Sequence, residues 1–152
     1  MKKLIHLLTQ TSATAAPLVL RLFLALVFFP HGAQKVLGWF GGYGFDGTMA
    51  FLTGSLGIPY AIALLPVATE FFGSIALFFG FFTRIAALAT GVNMLVAVVM
   101  VHFHNGFFMN WTGKQAGEGF EYHLLVIGMA LALVIQGAGC LSADRALADK
   151  TA

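Results

Sequence analysis

Four long apolar runs, separated by short polar or glycine-rich segments, set the pattern of this sequence. They cover residues 18–37, 58–82, 85–103 and 122–141. Each comes close to the roughly 20 mainly apolar residues that an α-helix needs to cross a bilayer. The pattern predicts an all-α fold, a bundle of four transmembrane helices, and we expect residues 1–152 to form one domain.

The breaks between the runs predict how the spans are connected. Pro17 suits the first turn of a helix, where its missing N–H costs nothing, and Gly137 and Gly139 mark the end of the fourth run. Only Thr83 and Arg84 separate the second and third runs. We therefore expect those two spans to form a tight antiparallel hairpin, and the segments 38–57 and 104–121 to be longer loops.

Lysine and arginine predict the orientation, because loops on the cytoplasmic side of a membrane carry an excess of them. The side with both termini and the 83–84 turn holds Lys2, Lys3, Arg21, Arg84, Arg145 and Lys150. The opposite side holds Lys35 and Lys114. We therefore expect cytoplasmic termini and two outer loops. The apolar patch at residues 4–8 is too short for a secretory signal and is expected to be a retained interfacial segment.

Composition excludes several other classes of protein. Hydrophobic residues make up 59% of the chain and charged residues 9%, whereas a soluble domain carries about 25% charged residues. The net charge of +2 comes from dispersed basic residues, so nucleic-acid binding is not expected. Cys140 is the only cysteine, which excludes an intramolecular disulfide and a C-x-x-C motif. Electrons handled by this protein must therefore reside on a borrowed cofactor or on a substrate.

A few ionisable or amide side chains interrupt the apolar runs. A charge at the bilayer centre costs about 2.5–3.5 kcal/mol on insertion scales, so such groups normally face the interior of a bundle and mark function. Helical periodicity places each of them in a row of small residues, which lets helices approach closely. Glu70 and Asn93 fall near mid-membrane and Arg21 toward the cytoplasmic end. Lys35 and Glu121 fall toward the outer end.

These positions predict a polar pocket that opens outward, with Glu70 at its floor and Lys35 and Glu121 at its mouth. We assign the catalytic roles to Glu70, Lys35 and Glu121. The rest of the pocket is predicted to comprise Arg21, His31, Asn93 and His104. An alternative stays open, in which Arg21 pairs with Glu70, and Lys35 with Glu121, as purely structural ion pairs.

Histidines cluster at the predicted outer ends of the spans. They are His31, His102, His104 and His123. Neutral imidazole is the commonest metal ligand, but His102 and His104 are two residues apart and would point nearly opposite ways on a helix. The sequence therefore predicts no metal site, and haem or a metal is a less favoured cofactor than a quinone.

The order and spacing of the polar residues resemble the DoxX family of small bacterial membrane proteins. The resemblance covers about residues 18–144 and includes Arg21, HGAQK with Lys35, ATEFFGS with Glu70, GFFTR with Arg84 and FEYHLL with Glu121. It implies a four-helix fold in the inner membrane and a link to redox biology. The founding member looks like a subunit of a thiosulfate:quinone oxidoreductase, and others are associated with oxidative stress or with catechol and quinone resistance.

Three functions agree with this reasoning. The first is a quinone-linked oxidoreductase component, since a quinone dissolved in the bilayer needs proton donors for its two carbonyl oxygens. The second is a non-enzymatic membrane partner or anchor for a redox enzyme. The third is a small transporter, which would need a homo-oligomer because four helices enclose a narrow interior. The expected partners are membrane lipid and, in that order, a quinone, a redox enzyme or further copies of the chain.

Overall fold

The computed structural model describes residues 2–151, and all regular structure in that range is helical. Its helices are α1 Lys2–Thr9, α2 Ala16–Leu37, α3 Gly44–Ala50, α4 Tyr60–Phe79, α5 Thr83–Asn105, α6 Glu121–Gln136 and α7 Ala143–Thr151. A π-helical turn, Phe51–Ser55, continues α3. The all-α prediction is confirmed for these residues. Met1 and Ala152, which the predicted domain includes, lie outside the described range.

Three of the helices are long and apolar enough to cross a membrane. They are α2, α4 and α5, with 22, 20 and 23 residues. The fourth apolar helix, α6, has 16 residues, which at 1.5 Å per residue give about 24 Å against a hydrocarbon core of about 30 Å. Helix α6 ends before the predicted residue 141 because Gly137 leaves helical geometry with φ 78°. The count of four spans therefore stays a prediction.

Small and branched apolar side chains from α2, α4, α5 and α6 form the core between these helices. The buried members are Leu24, Ala25, Phe28, Leu77, Ala86, Ala87, Met94, Val126 and Leu133. A second, smaller cluster packs α3 against α4 through Met49, Ala63 and Val67. Large leucines and phenylalanines on the opposite faces of the helices are exposed. Lipid chains can cover such a surface, whereas water cannot do so without a large cost.

Three residues, 80–82, connect α4 to α5, and Asp144 stabilises this connection. Its carboxylate accepts hydrogen bonds from the backbone N–H groups of Phe82 at 2.6 Å and Thr83 at 2.8 Å. It thereby caps the first turn of α5, whose N–H groups have no partner within the helix. Burial raises the pKa of the Asp144 carboxyl, whereas these hydrogen bonds and the nearby Arg21 lower it.

Arg21 joins α2 to the ends of two other helices. Its side chain is buried, with 1% of the residue exposed. Its guanidinium donates to the carbonyl oxygens of Leu77, Phe78, Ala138, Cys140 and Leu141. The last carbonyls of a helix lack partners within that helix, and the donors of one planar guanidinium satisfy several of them together. Arg21 therefore holds the end of α4 and the segment after α6 against α2.

Helices α2 and α4 touch through their backbones at Gly32. A Cβ atom placed on Gly32 would lie 2.5 Å from the Cα of Phe71 and 2.6 Å from the carbonyl carbon of Glu70. Only glycine allows this approach, as is common where membrane helices cross closely. On α4 the contact falls within a π-helical turn, Thr69–Gly73. This crossing determines which side chains of the two helices meet.

Replacing Gly32 with alanine is expected to destabilise the protein by about 1–3 kcal/mol, because the new methyl group forces the two backbones apart. Gly128 on α6 is a matched control, since a Cβ there meets nothing within 4 Å. Gly128→Ala should raise the free energy of unfolding by up to about 1 kcal/mol, through helix propensity alone. Reversible unfolding in mixed detergent micelles measures both changes. A Gly32→Ala protein as stable as the parent would contradict the close crossing.

Arg21→Lys keeps the positive charge but loses the planar set of donors. We expect it to lower the free energy of unfolding by about 3 kcal/mol, because buried carbonyls lose hydrogen bonds from a charged group. Arg145 on α7 is exposed, and Arg145→Lys should change stability by less than about 0.5 kcal/mol. The same unfolding measurement compares the two variants. Equal stabilities would show that Arg21 does not hold the helix ends together.

Candidate functional site

Lys35 and Glu70 form an ion pair between α2 and α4. The ammonium nitrogen Nζ of Lys35 donates to Oε2 of Glu70. The side chain of Glu70 is 8% exposed and that of Lys35 is 30% exposed. The carboxylate therefore lies inside the bundle, and the side chain of Lys35 is partly exposed.

The local structure of both helices brings this pair together. Lys35 follows Gly32 by three residues, so the two lie on neighbouring faces of α2. The close contact of Gly32 with Phe71 carries Lys35 to Glu70. Glu70 itself belongs to the π-helical turn of α4, a local widening of the helix that is frequent at functional sites.

Asn93 and Tyr122 complete the surroundings of Glu70. The Asn93 amide donates from Nδ2 to Oε1 of Glu70 at 3.2 Å, so each carboxylate oxygen has a donor. Tyr122, at the start of α6, is partly buried and packs against the core between the same helices. We call Lys35, Glu70, Asn93 and Tyr122 the polar cluster. Helices α2, α4, α5 and α6 each contribute one of its members.

Tyr122 was not among the residues assigned from the sequence. It sits at the start of the fourth apolar run, where tyrosine is usual at a membrane interface. A signal was present, because Val126 and Leu133 follow it by four and eleven residues and both are buried in the core. A helix presents positions with this spacing on one face. The tyrosine at the top of that face therefore points into the bundle.

Glu121 and Arg21, also predicted for the site, lie apart from Glu70. The Glu121 carboxylate accepts hydrogen bonds from the backbone N–H of Met109 at 2.9 Å and from Nε1 of Trp111 at 3.3 Å. It thereby fixes the loop before α6. Arg21 lies at the other end of α2, against the carbonyl groups described above. The pairings considered from the sequence, Arg21 with Glu70 and Lys35 with Glu121, are not the ones that form.

The four histidines that the sequence predicts at the outer ends of the spans fall into two groups. His31 and His104 are exposed. His102 and His123 instead pack together, with ring centroids 4.1 Å apart, and Nδ1 of His102 lies 2.8 Å from the carbonyl oxygen of Glu118. Among the residues described, no three histidine, cysteine, aspartate or glutamate side chains are grouped so that they could hold a metal ion.

The polar cluster combines groups with complementary chemistry. Lys35 and Asn93 each donate a hydrogen bond to one oxygen of the Glu70 carboxylate, and these bonds fix its orientation. Such an arrangement suits the binding of a small polar group and general acid–base chemistry.

Several known proteins resemble this chain over most of its length. A model of the DoxX family matches residues 16–103. The chain is 32% identical over 116 residues to "Putative oxidoreductase CatD" of Bacillus subtilis (strain 168), with 76% of each chain covered. It is 32% identical over 134 residues to "Inner membrane protein YqjF" of Escherichia coli (strain K12), covering 88% of this chain and 92% of the relative.

"Inner membrane protein YphA" of the same organism is 31% identical over 134 residues, covering 84% of this chain and 87% of the relative. No solved structure matches the chain. The relatives and the three helices long enough to span a bilayer agree on an inner-membrane location. The resemblance carried by the polar residues is thereby confirmed, and the protein belongs to the DoxX family.

Proposed function

We propose that this protein is a quinone-linked component of an oxidoreductase system and that the polar cluster holds the quinone head. The observation that carries the proposal is the ion pair between Lys35 and Glu70, with Asn93 on the second carboxylate oxygen. Charges at bilayer depth are costly and usually serve a function. A relative named as an oxidoreductase, CatD, adds support.

The chemistry of a quinone matches the groups at the cluster. Reduction to the hydroquinone adds two electrons and two protons, and each proton goes to a carbonyl oxygen. Lys35 would donate a hydrogen bond to one carbonyl and stabilise the charge that develops on it. Glu70, with Asn93 and Tyr122 beside it, would exchange protons with the bound ring. The electrons would come from a partner redox enzyme, and this chain would supply the site and the protons.

The remaining predicted residues would connect the cluster to the outer surface. Glu121 adjoins Tyr122 in the chain and contacts the outer loop through Met109. We propose that it passes protons inward, with the exposed His31 and His104 at the water interface. Arg21 would act at a distance, by holding α2 and α4 in the register that the ion pair needs.

The proposal includes a topology of four spans with both termini in the cytoplasm, formed by one domain. Helix α6 would be the fourth span, lengthened by the non-helical residues 137–141. The carbonyls of Ala138, Cys140 and Leu141 in that segment accept hydrogen bonds from Arg21, so its backbone is partly satisfied without helical geometry. The excess of lysine and arginine at the terminal side supports the orientation.

A second candidate function is that of a membrane anchor for a redox enzyme. The outer loops support it, because they carry large exposed aromatic side chains, among them Tyr43 at 86% and Trp111 at 85% exposure. Aromatic residues are enriched at protein interfaces as well as at membrane surfaces. The two functions are compatible if the anchored enzyme delivers electrons to the quinone. The transporter hypothesis has a single supporting feature, the ionisable Glu70 inside the bundle.

Quinone binding to the purified protein tests the proposal. In lipid nanodiscs the parent protein should bind a ubiquinone or menaquinone analogue, and Glu70→Gln should weaken binding by about tenfold, the effect of one charge-assisted hydrogen bond. Glu118→Gln, in the exposed outer loop, should bind as the parent does. A parent protein that binds no quinone would contradict the proposal. A stoichiometric redox enzyme that co-purifies without bound quinone would favour the anchor.

A further inference from the structure

Helix α3 packs over the part of α4 that leads to Glu70. Ala63, Val67 and Glu70 lie on one face of α4, because a helix brings residues three, four and seven positions apart to the same side. Met49 of α3 packs against Ala63 and Val67. As a result Ala63 is 0% exposed and Val67 is 4% exposed. This face of α4 is therefore covered from its first turn to the turn that holds Glu70.

The same segment borders the ion pair on the side of α2. Val36, which follows Lys35 in the chain, packs against the cluster that Met49 forms with α4. A Cβ atom on Gly42 would lie 2.3 Å from the carbonyl oxygen of Gln34. The chain that enters α3 thus lies directly on the backbone of α2, one residue before Lys35. Both helices that contribute to the ion pair are therefore covered next to it by the segment that contains α3.

Few side chains hold α3 in this place. Among its seven residues, Thr48 and Met49 are buried. Phe45, Asp46 and Ala50 are exposed. Segments with few buried contacts belong to the least stable parts of a protein and open locally while the rest stays folded. Helix α3 therefore has the packing expected of an element that moves separately from the long helices.

Glycines on each side of α3 provide the hinges for such a movement. Gly38 follows α2 with φ 71°, and Gly57 precedes α4 with φ 65°. Both angles lie in the left-handed region, which glycine adopts without strain. A Cβ atom on Gly57 would meet nothing within 4 Å, so the chain has room to turn there. Hinges of this kind lie at the ends of elements and absorb large changes in φ and ψ.

We propose that the segment 38–57 is a lid over the polar cluster and that it lifts away from α4 to admit water and a ligand to Glu70. In the closed position Met49 covers Val67, and the Glu70 side chain is 8% exposed. Exclusion of water strengthens the interaction of the carboxylate with Lys35. The inference concerns access to the cluster, so it holds for whichever ligand the cluster binds.

A cysteine introduced at position 67 measures the opening of the lid. In a Cys140→Ser background, Val67→Cys should react with a water-soluble maleimide only while the lid is open, because residue 67 is buried in the closed position. Val126→Cys is the matched control. Val126 is 3% exposed and lies in the core between the long helices, so it reacts only when the bundle itself opens. Both proteins are labelled in lipid nanodiscs.

We expect position 67 to react at least tenfold faster than position 126, since local opening is more frequent than opening of the whole bundle. Met49→Ala removes the covering side chain and should speed labelling at position 67 by a further factor of about ten or more. Phe51→Ala truncates a residue of the same segment that is 54% exposed and should leave the rate unchanged. Thermal unfolding checks each fold, and Met49→Val, a smaller truncation, replaces Met49→Ala if the latter does not fold.

Equal labelling rates at positions 67 and 126 would overturn the inference, because residue 67 would then become accessible only together with the rest of the bundle. An unchanged rate at position 67 when Met49 is truncated would also overturn it, because α3 would then not be the element that covers Val67. The labelling uses no quinone, so neither result depends on the proposed function.

Discussion

Two opposite charges among apolar helices need each other as partners, and the ion pair of Lys35 with Glu70 organises the end of the bundle where Lys35 lies. An unpaired carboxylate inside such a bundle would take up a proton or cost several kcal/mol. The pair forms only where α2 and α4 are in backbone contact, which requires glycine at position 32. Asn93 then brings α5 to the same point, so one electrostatic requirement connects three helices.

At the opposite end of the bundle, near Arg21, the groups that need partners are backbone carbonyls. Arg21 supplies its donors to the end of α4 and to the chain after α6, and Asp144 caps α5 from α7. Both ends of α2 are thus tied to α4 by polar contacts, and the stretch between them packs through small residues.

Much of this arrangement can be predicted from the sequence, and the limits have physical causes. The cost of burying charged or amide side chains in a membrane points to Lys35, Glu70 and Asn93. The lengths of the apolar runs predict where α2, α4 and α5 lie. The partner of each charge could not be predicted, because helical periodicity leaves the relative rotation and depth of two helices open. Gly137 ends α6 earlier than the apolar run predicts. The glycine-rich segment 38–57, predicted to be a loop, contains the helix α3, which packs on α4. Tyr122 could not be assigned to the site, because a tyrosine at the start of an apolar run is usual at a membrane interface.

The most direct test of the central claim is a solid-state NMR measurement of the distance between the Lys35 ammonium nitrogen and the Glu70 carboxyl carbon in lipid bilayers. Isotope labelling of lysine and glutamate, with Glu70→Gln to assign the signal, isolates this contact. The account predicts a direct dipolar coupling that corresponds to a separation of roughly 4 Å or less, as in an ion pair. A Lys35 signal coupled to Glu121, or to no carboxyl group, would contradict it.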